Sequence, residues 1–234
     1  MKVGAIYAIE VSGVCNLSCS YCPYSQGKRR RGLMDMATLR QTMFWVEEGM
    51  RVHKPLHLHL FGEPLMHEHF VDMARWIKNH YPEMPLSFST NATLLTPQWA
   101  NRLATVDWAW ITLSPHDLGA VAKALVSLQS RGIKVKQQEG PDHNWAGQVE
   151  NEVRWHWPCD FANQGMVVVR WNGDVVLCCI SDGPEGVIGT VWDEDLMEKE
   201  HTAFELCEKC HMVRPDENEA ATQAESPPPL LQVV

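Results

Sequence analysis

The alternation of strand-like and helix-like segments over the first 140 residues limits the fold more than any other feature of this chain. "VGAIYAIEV" reads as a strand, and "DMATLRQTMFWVEEGM" has helical periodicity with Asp35 as its N-cap. "PLHLHLF" alternates apolar and polar residues and is a strand; "HEHFVDMARWIKNH" is a helix. "LSFST" is a strand, followed by the helix "TPQWANRLA", with Thr96 as cap and Pro97 in its first position. "VDWAWITLS" is a fourth strand, "DLGAVAKALVSLQSRG" a helix stopped at Gly132, and "IKVKQ" a fifth strand. Strands separated by helices imply parallel βαβ units. Five such strands are too few to close an eight-stranded barrel. The expected fold is α/β, an open partial (β/α) barrel of about five to six parallel strands. Chemistry in such folds sits at the C-terminal ends of the strands. Five segments fall there: Cys15–Cys22, Gly62–Glu63, Thr90–Asn91, Ser114–Asp117 and Gln137–Glu139.

After Gly140 the texture changes. "GPDHNWAGQ" is loop-like, "MVVVRWNGDVVLCC" reads as a hairpin turning at Asn172–Gly173, and "LMEKEHTAFELCEKC" as a short helical piece. The expected division is residues 1–140 as the partial barrel, 141–212 as a smaller module, and 213–234 as an acidic, proline-rich disordered tail. No apolar run of 18 residues is present, so no membrane span is expected. The N-terminus lacks the features of a signal peptide, which points to the cytoplasm. The formal charge of −9 argues against a general nucleic-acid binder. The local exception is "KRRR", Lys28–Arg31, which reads as a solvated loop or as an anion contact.

The eight cysteines are Cys15, Cys19, Cys22, Cys159, Cys178, Cys179, Cys207 and Cys210. In a reducing compartment they favour metal over disulfides. "CNLSCSYC" spaces the first three as C-x3-C-x2-C. A [4Fe–4S] cube takes one thiolate per iron, so three leave one iron open to a small chelating molecule. The rival is zinc, which needs a fourth protein ligand that His53, His57 or His59 would offer.

With Tyr21 just before its last cysteine, this loop resembles the signature of the radical S-adenosylmethionine (radical SAM) superfamily. The resemblance implies that SAM chelates the open iron, that a one-electron donor such as flavodoxin or ferredoxin reduces the cluster, and that a 5′-deoxyadenosyl radical then removes hydrogen from a substrate carbon. "FGEP" at Phe61–Pro64 stands where the family carries G-G-E-P, with Phe61 for the first glycine. "STNATLL" at Ser89–Leu95 stands where relatives carry T-N-G, with Ala92 for the glycine. By resemblance Tyr21, Gly62, Glu63, Ser89, Asn91 and Ser114 are the SAM-binding positions, with Glu63 receiving the ammonium.

"PCDFANQGMVVVRWNGDVVLCC" and the later "CEKC" resemble the auxiliary-cluster module of SPASM/twitch radical SAM enzymes, in its short form. That resemblance implies a second [4Fe–4S] cluster on Cys159, Cys178, Cys207 and Cys210, with Cys179 a packed free thiol because adjacent strand side chains point to opposite faces. Structural zinc on the same four thiols is the alternative. His116 and Asp117, past the fourth strand, are the candidate catalytic residues, either able to take a proton or bind a polar substrate; the alternative for Asp117 is to cap the next helix. His57 and His59 share one strand face, as a buried pair. Trp145, Trp155 and Trp157 flank the second cysteine set and would stack on an aromatic substrate or shield the cluster.

The expected function is oxidation or rearrangement of a small polar molecule. The other readings are nucleobase or nucleotide modification (viral DNA bases included), peptide maturation, and a non-catalytic zinc protein. Substrate and oligomeric state are not legible.

Overall fold

The computed structural model describes residues 1–27, 30–138, 146, 148, 157–210 and 212–213. The sequence expectations for Lys28, Arg29, Glu139, Trp145, Trp155 and the tail from 214 lie outside them.

The barrel half contains β1 (Ala5–Ile9), α1 (Met36–Glu47), β2 (Arg51–His57), α2 (Phe70–His80), β3 (Leu86–Thr90), α3 (Pro97–Leu103), β4 (Trp108–Leu113), α4 (Leu118–Gln129) and β5 (Val135–Gln137). The caps are those expected. Asp35 accepts from Thr38 N, Thr96 from Trp99 N and Asp117 from Ala120 N, each satisfying a donor that the first helical turn leaves open.

The C-terminal half adds β6 (Trp157–Pro158), α5 (Asp160–Gln164), β7 (Met166–Val169), β8 (Asp174–Val176), β9 (Val187–Thr190) and β10 (Met212–Val213). The hairpin β7–β8 turns at Asn172–Gly173 as its sequence requires, with Gly173 N donating to Arg170 O at 2.9 Å. The expected helical piece near residues 196–210 is instead two single 3₁₀ turns, Leu196–Glu198 and Glu205–Lys209. Helix α5 and strand β9 were not anticipated; both are short, with too few residues to display a period.

The main sheet runs β5-β4-β3-β2-β1-β7-β8-β9, while β6 and β10 pair separately. All pairs from β5 through β7 are parallel, giving six parallel strands, and β8 and β9 are antiparallel. The C-terminal hairpin therefore continues the barrel sheet, because β7 lies in register beside β1, Ala5 against Met166 and Ile9 against Val169.

Helices α1 to α4 cover one face. Ile6, Ile9, Leu39, Met43, Leu56, Phe70, Phe88, Leu103, Ile111 and Leu128 form that core, nearly all without exposure. The other, inner face differs along its width. Beside β1, β7 and β8 it is apolar, with Ala5, Ala8, Met166, Val168 and Val176 under Phe161. Toward β2–β5 it is polar, with His57, Ser87, Thr112 and Lys136. Among the described residues no helix is long and apolar enough to cross a membrane.

Phe88 sits at the centre of the helix-side core, 4.8 Å from Phe70 and 4.9 Å from Trp108 between ring centroids. Phe88→Ala should cost about 3–5 kcal/mol in urea unfolding, against about 1 kcal/mol for loss of the exposed Thr96 cap in Thr96→Ala.

Candidate cofactor and metal site

The segments that follow β1 to β5 meet at the C-terminal edge of the sheet around a cavity of about 270 Å³. Cys15, Cys19, Tyr21 and Cys22 line it from the first loop, Gly62 and Glu63 from the second, Ser89 and Asn91 from β3, Ser114 and His116 from β4, and Gln138 from β5. The structure thus brings together the first three cysteines and all six expected SAM-binding positions.

The cysteine loop is held by its own polar groups. The Tyr24 hydroxyl accepts from Cys15 N at 2.9 Å and donates to Cys15 O at 3.3 Å. Asn91 Nδ2 donates to Asn16 Oδ1 at 3.0 Å, and Asn16 Nδ2 donates to Thr93 Oγ1 at 2.8 Å, tying the loop to the end of β3. Burial pushes the Cys15 thiol up and the Cys22 thiol up to about 11. Metal binding at these thiols therefore displaces protons.

Glu63 is 2% exposed. Its Oε1 accepts from Leu65 N at 3.0 Å and Thr90 Oγ1 at 2.8 Å, and its Oε2 from Asn91 N at 2.8 Å. Burial raises its pKa, and the three donors oppose that rise. Thr90, read from sequence as a strand-end residue without a role of its own, is thus part of the site as a partner of Glu63. Gly62 has no room for a side chain: a Cβ there would lie 2.0 Å from Ser12 O, which explains why this glycine is kept where Phe61 replaces its neighbour. Ala92, in the position where the resemblance expects glycine, has φ +64° and is buried.

Ser114 Oγ donates to Gln138 Oε1 at 2.8 Å. Tyr21 and His116 stack with centroids 5.7 Å apart, and the Tyr21 hydroxyl is hydrogen-bonded to His116 Nδ1. Cys19 Sγ lies 3.7 Å from the same nitrogen. Burial lowers the His116 pKa. Asp117 is exposed, caps α4 and does not line the cavity, so the expected pair is divided between two tasks.

Below the cavity the inner face is filled by paired groups. His57 Nδ1 is hydrogen-bonded to Ser87 Oγ at 2.7 Å, and Lys136 Nζ lies 3.3 Å from the centroid of Trp110. Tyr7 packs between His53, His57 and Phe161, 4.9 Å from each. His59 lines the cavity itself, and its Nδ1 is buried without a hydrogen-bond partner. Of the two histidines read as a buried pair, His57 is hydrogen-bonded to Ser87, while His59 Nδ1 has no partner.

The second cysteine set also converges. Cys159, Cys178, Cys207 and Cys210 line a small apolar cavity of about 20 Å³ with Leu177, Phe204 and Leu206. Cys179 is not among its walls and packs with the inner apolar cluster near Phe161. Burial raises the Cys159 thiol, and a hydrogen bond with the Cys179 thiol, then burial, raises Cys178 well above the usual thiol value. Trp157 enters as backbone of β6.

The profile described as the Radical SAM superfamily matches residues 9–127, half of the chain, and the chain belongs to that superfamily. It is a radical SAM superfamily enzyme, and membership implies a [4Fe–4S] cluster and SAM. Mycofactocin maturase MftC of Mycobacterium tuberculosis is 30% identical over 124 residues, 53% of this chain and 30% of that protein. The tungsten-containing aldehyde ferredoxin oxidoreductase cofactor-modifying protein of Pyrococcus furiosus is 31% identical over 96 residues, 41% of this chain and 26% of that protein. The matched segments span less than a third of either relative. Among solved structures, BtrN in complex with AdoMet and 2-DOIA superposes with a TM-score of 0.66 at 21% identity, covering 85% of this chain and 83% of that one. SuiB of Streptococcus suis bound to precursor peptide SuiA gives 0.61 at 12% identity, covering 83% and 63%. These likenesses establish the mostly parallel, partial-barrel α/β fold.

Two outcomes follow from the site's backbone and charges. Ala92→Gly should raise stability in urea by about 0.5–1 kcal/mol, the left-handed strain relieved less the added freedom of the unfolded chain. Burial, then neighbouring His53 and Lys136, lowers His57 from 6.5 to about 4; burial, then His57, lowers His59 to about 3. The folded protein refuses protons that the unfolded chain accepts below about 6.5. Stability is thus intact above 6.5 and falls as pH drops from 6.5 toward 4. Urea unfolding of metal-free His57→Gln between those limits should show a shallower fall than the unsubstituted protein.

Proposed function

We propose that this chain uses SAM and a [4Fe–4S] cluster on Cys15, Cys19 and Cys22 to act on a small polar molecule, with a second, auxiliary [4Fe–4S] cluster on Cys159, Cys178, Cys207 and Cys210. The observation that carries the reading is the convergence of three thiols with Glu63, Asn91 and Ser114 on one cavity at the catalytic edge of the sheet. The donor set fits the group: three thiols line that cavity, which leaves one iron of a cube for a chelating ligand. Zinc would draw its ligands to about 2.3 Å around one point. The four irons of a cube spread their ligands more widely than one ion does.

When bound, SAM and the cluster supply a 5′-deoxyadenosyl radical able to take hydrogen from an unreactive carbon. The protein's task is placement. Glu63, fixed by Thr90, Asn91 and Leu65, presents a rigid carboxylate for the methionyl ammonium. Ser89, Asn91 and Ser114 offer hydroxyl and amide groups to the ribose or carboxylate. His116, whose pKa partial burial lowers, stands at the rim where it can accept a proton or a hydrogen bond. Asp117 stays with its helix.

The polar inner face supports a small, hydroxyl- or amine-bearing substrate. His59 lines the cavity as a neutral imidazole, its Nδ1 buried without a hydrogen-bond partner. BtrN, whose structure holds AdoMet and 2-DOIA, supports this reading. A peptide substrate is the second reading, favoured by neighbours solved with peptides, SuiB with SuiA and anSMEcpe with Cp18Cys peptide.

The test is iron and sulfide content with Mössbauer spectra after anaerobic reconstitution. About eight irons per chain are expected, falling to about four when Cys15, Cys19 and Cys22 are all replaced by alanine, with loss of SAM cleavage. About four irons falling to none, with zinc in the second site, would remove the auxiliary cluster from the proposal.

A further inference from the structure

The basic run ends in a residue that is neither solvated nor available to a phosphate. Arg31 is 16% exposed and forms a two-point ion pair with Asp182, which has no exposure. Its two terminal nitrogens donate to Asp182 Oδ1 and Oδ2, each at 2.8 Å. One of them also donates to the Tyr24 carbonyl at 2.9 Å, and the guanidinium lies 4.1 Å over the Tyr24 ring. Tyr24 is the residue whose hydroxyl brackets the Cys15 backbone. A continuous line of contacts therefore runs from Cys15 through Tyr24 and Arg31 to a carboxylate 151 residues further along the chain.

The far end of that line is rigid. Arg170, fully buried, donates to the carbonyls of Ser181 and Gly183 at 2.8 Å each. Gln148 donates to the Ile180 carbonyl at 2.6 Å. These bonds fix the turn that begins just after Cys178 and presents Asp182. The hairpin makes a second contact with the same region. Trp171 lies so close to Gly13 and Gly32 that a Cβ would fall 2.2 Å and 2.5 Å from its ring atoms. The stretch that carries Cys15, Cys19 and Cys22 is thus gripped at both ends by residues 170–183.

We infer that Arg31 and Asp182 are a positioning pair through which the C-terminal half of the chain sets the shape and local charge of the site on Cys15, Cys19 and Cys22. The inference rests on the reading that those thiols hold the SAM-binding cluster. Bidentate geometry is what arginine supplies and lysine does not. The pair is neutral as a whole, and its guanidinium is bonded to the carbonyl of Tyr24, two residues beyond Cys22. Cluster potentials follow charge and hydrogen bonding around the sulfurs. An uncompensated carboxylate there opposes an added electron, and an uncompensated guanidinium favours it.

The experiment compares anaerobically reconstituted full-length protein with Asp182→Asn, Arg31→Met and the double variant. An EPR-monitored redox titration follows the reduced-cluster signal that changes on adding SAM, and thermal unfolding reports the fold. The expected midpoint is more positive in Asp182→Asn, more negative in Arg31→Met and close to the unsubstituted value in the double variant. The intensity of the SAM-responsive signal should fall in all three, because the Tyr24 anchor is weakened or lost. Coincident midpoints with full signal in folded variants would overturn the inference. If only the double variant folds, it carries the test through signal intensity, and full intensity counts against the pair. If none folds, the pair is a general folding requirement and the inference fails. Unsubstituted protein that holds iron but gives no SAM-responsive signal would sink the cluster assignment itself, a result distinct from all of these.

Discussion

The parallel pairing of β7 with β1 is the constraint on which the rest depends. It makes β1 an interior strand, flanked by β2 on one side and β7 on the other. Ile6 and Ile9 are then buried against the helices, and Ala5 and Ala8 against the opposite face. Both faces being covered, the strand cannot slip by one residue without exchanging the two cores. The loop that follows β1 carries the first three cysteines, so their placement inherits the rigidity of the central strand. The same pairing brings the hairpin's Trp171 and the following turn onto that loop.

A second organising element is the buried carboxylate of Glu63. An ionised side chain with almost no exposure is expensive unless its oxygens are satisfied. Here the donors come from its own turn and from the end of β3. The bonds that make the charge tolerable also fasten the end of β2 to the end of β3. Gly62 lets this turn lie directly against the backbone leaving β1, where Glu63 N donates to Val14 O at 2.8 Å. Three adjacent strand ends become one rigid rim.

Much of this was legible in the sequence because it is written locally. Strand and helix periods, the caps Asp35, Thr96 and Asp117, and the cysteine spacing all lie within a few residues of one another. The Asn172–Gly173 turn was equally plain. The pairings across the chain were not. Nothing in "KRRR" distinguishes Arg31 from its neighbours, since its partner Asp182 is fixed by Arg170 and Gln148 in a turn with no period. Thr90 is visible in the sequence as a residue at a strand end, but nothing there shows that its hydroxyl holds Glu63. His57 and His59 are equivalent in alternation, yet only His57 faces a serine, because register and not composition sets Ser87 opposite it. The 3₁₀ turns at Leu196–Glu198 and Glu205–Lys209 are too brief for periodicity to register.

The sheet order also has a consequence for biosynthesis. Strand β1 is made first, but one of its two neighbours, Met166–Val169, leaves the ribosome some 160 residues later. Until then the strand that leads into the cysteine loop has an open edge, and Asp182 has yet to be made. Contacts of such long sequence separation form slowly and leave exposed strand edges in the interval. The cysteine loop therefore reaches its final shape only after Asp182 has been synthesised. Until residues 166–183 are made, the loop that carries Cys15, Cys19 and Cys22 lacks both the strand and the carboxylate that hold it.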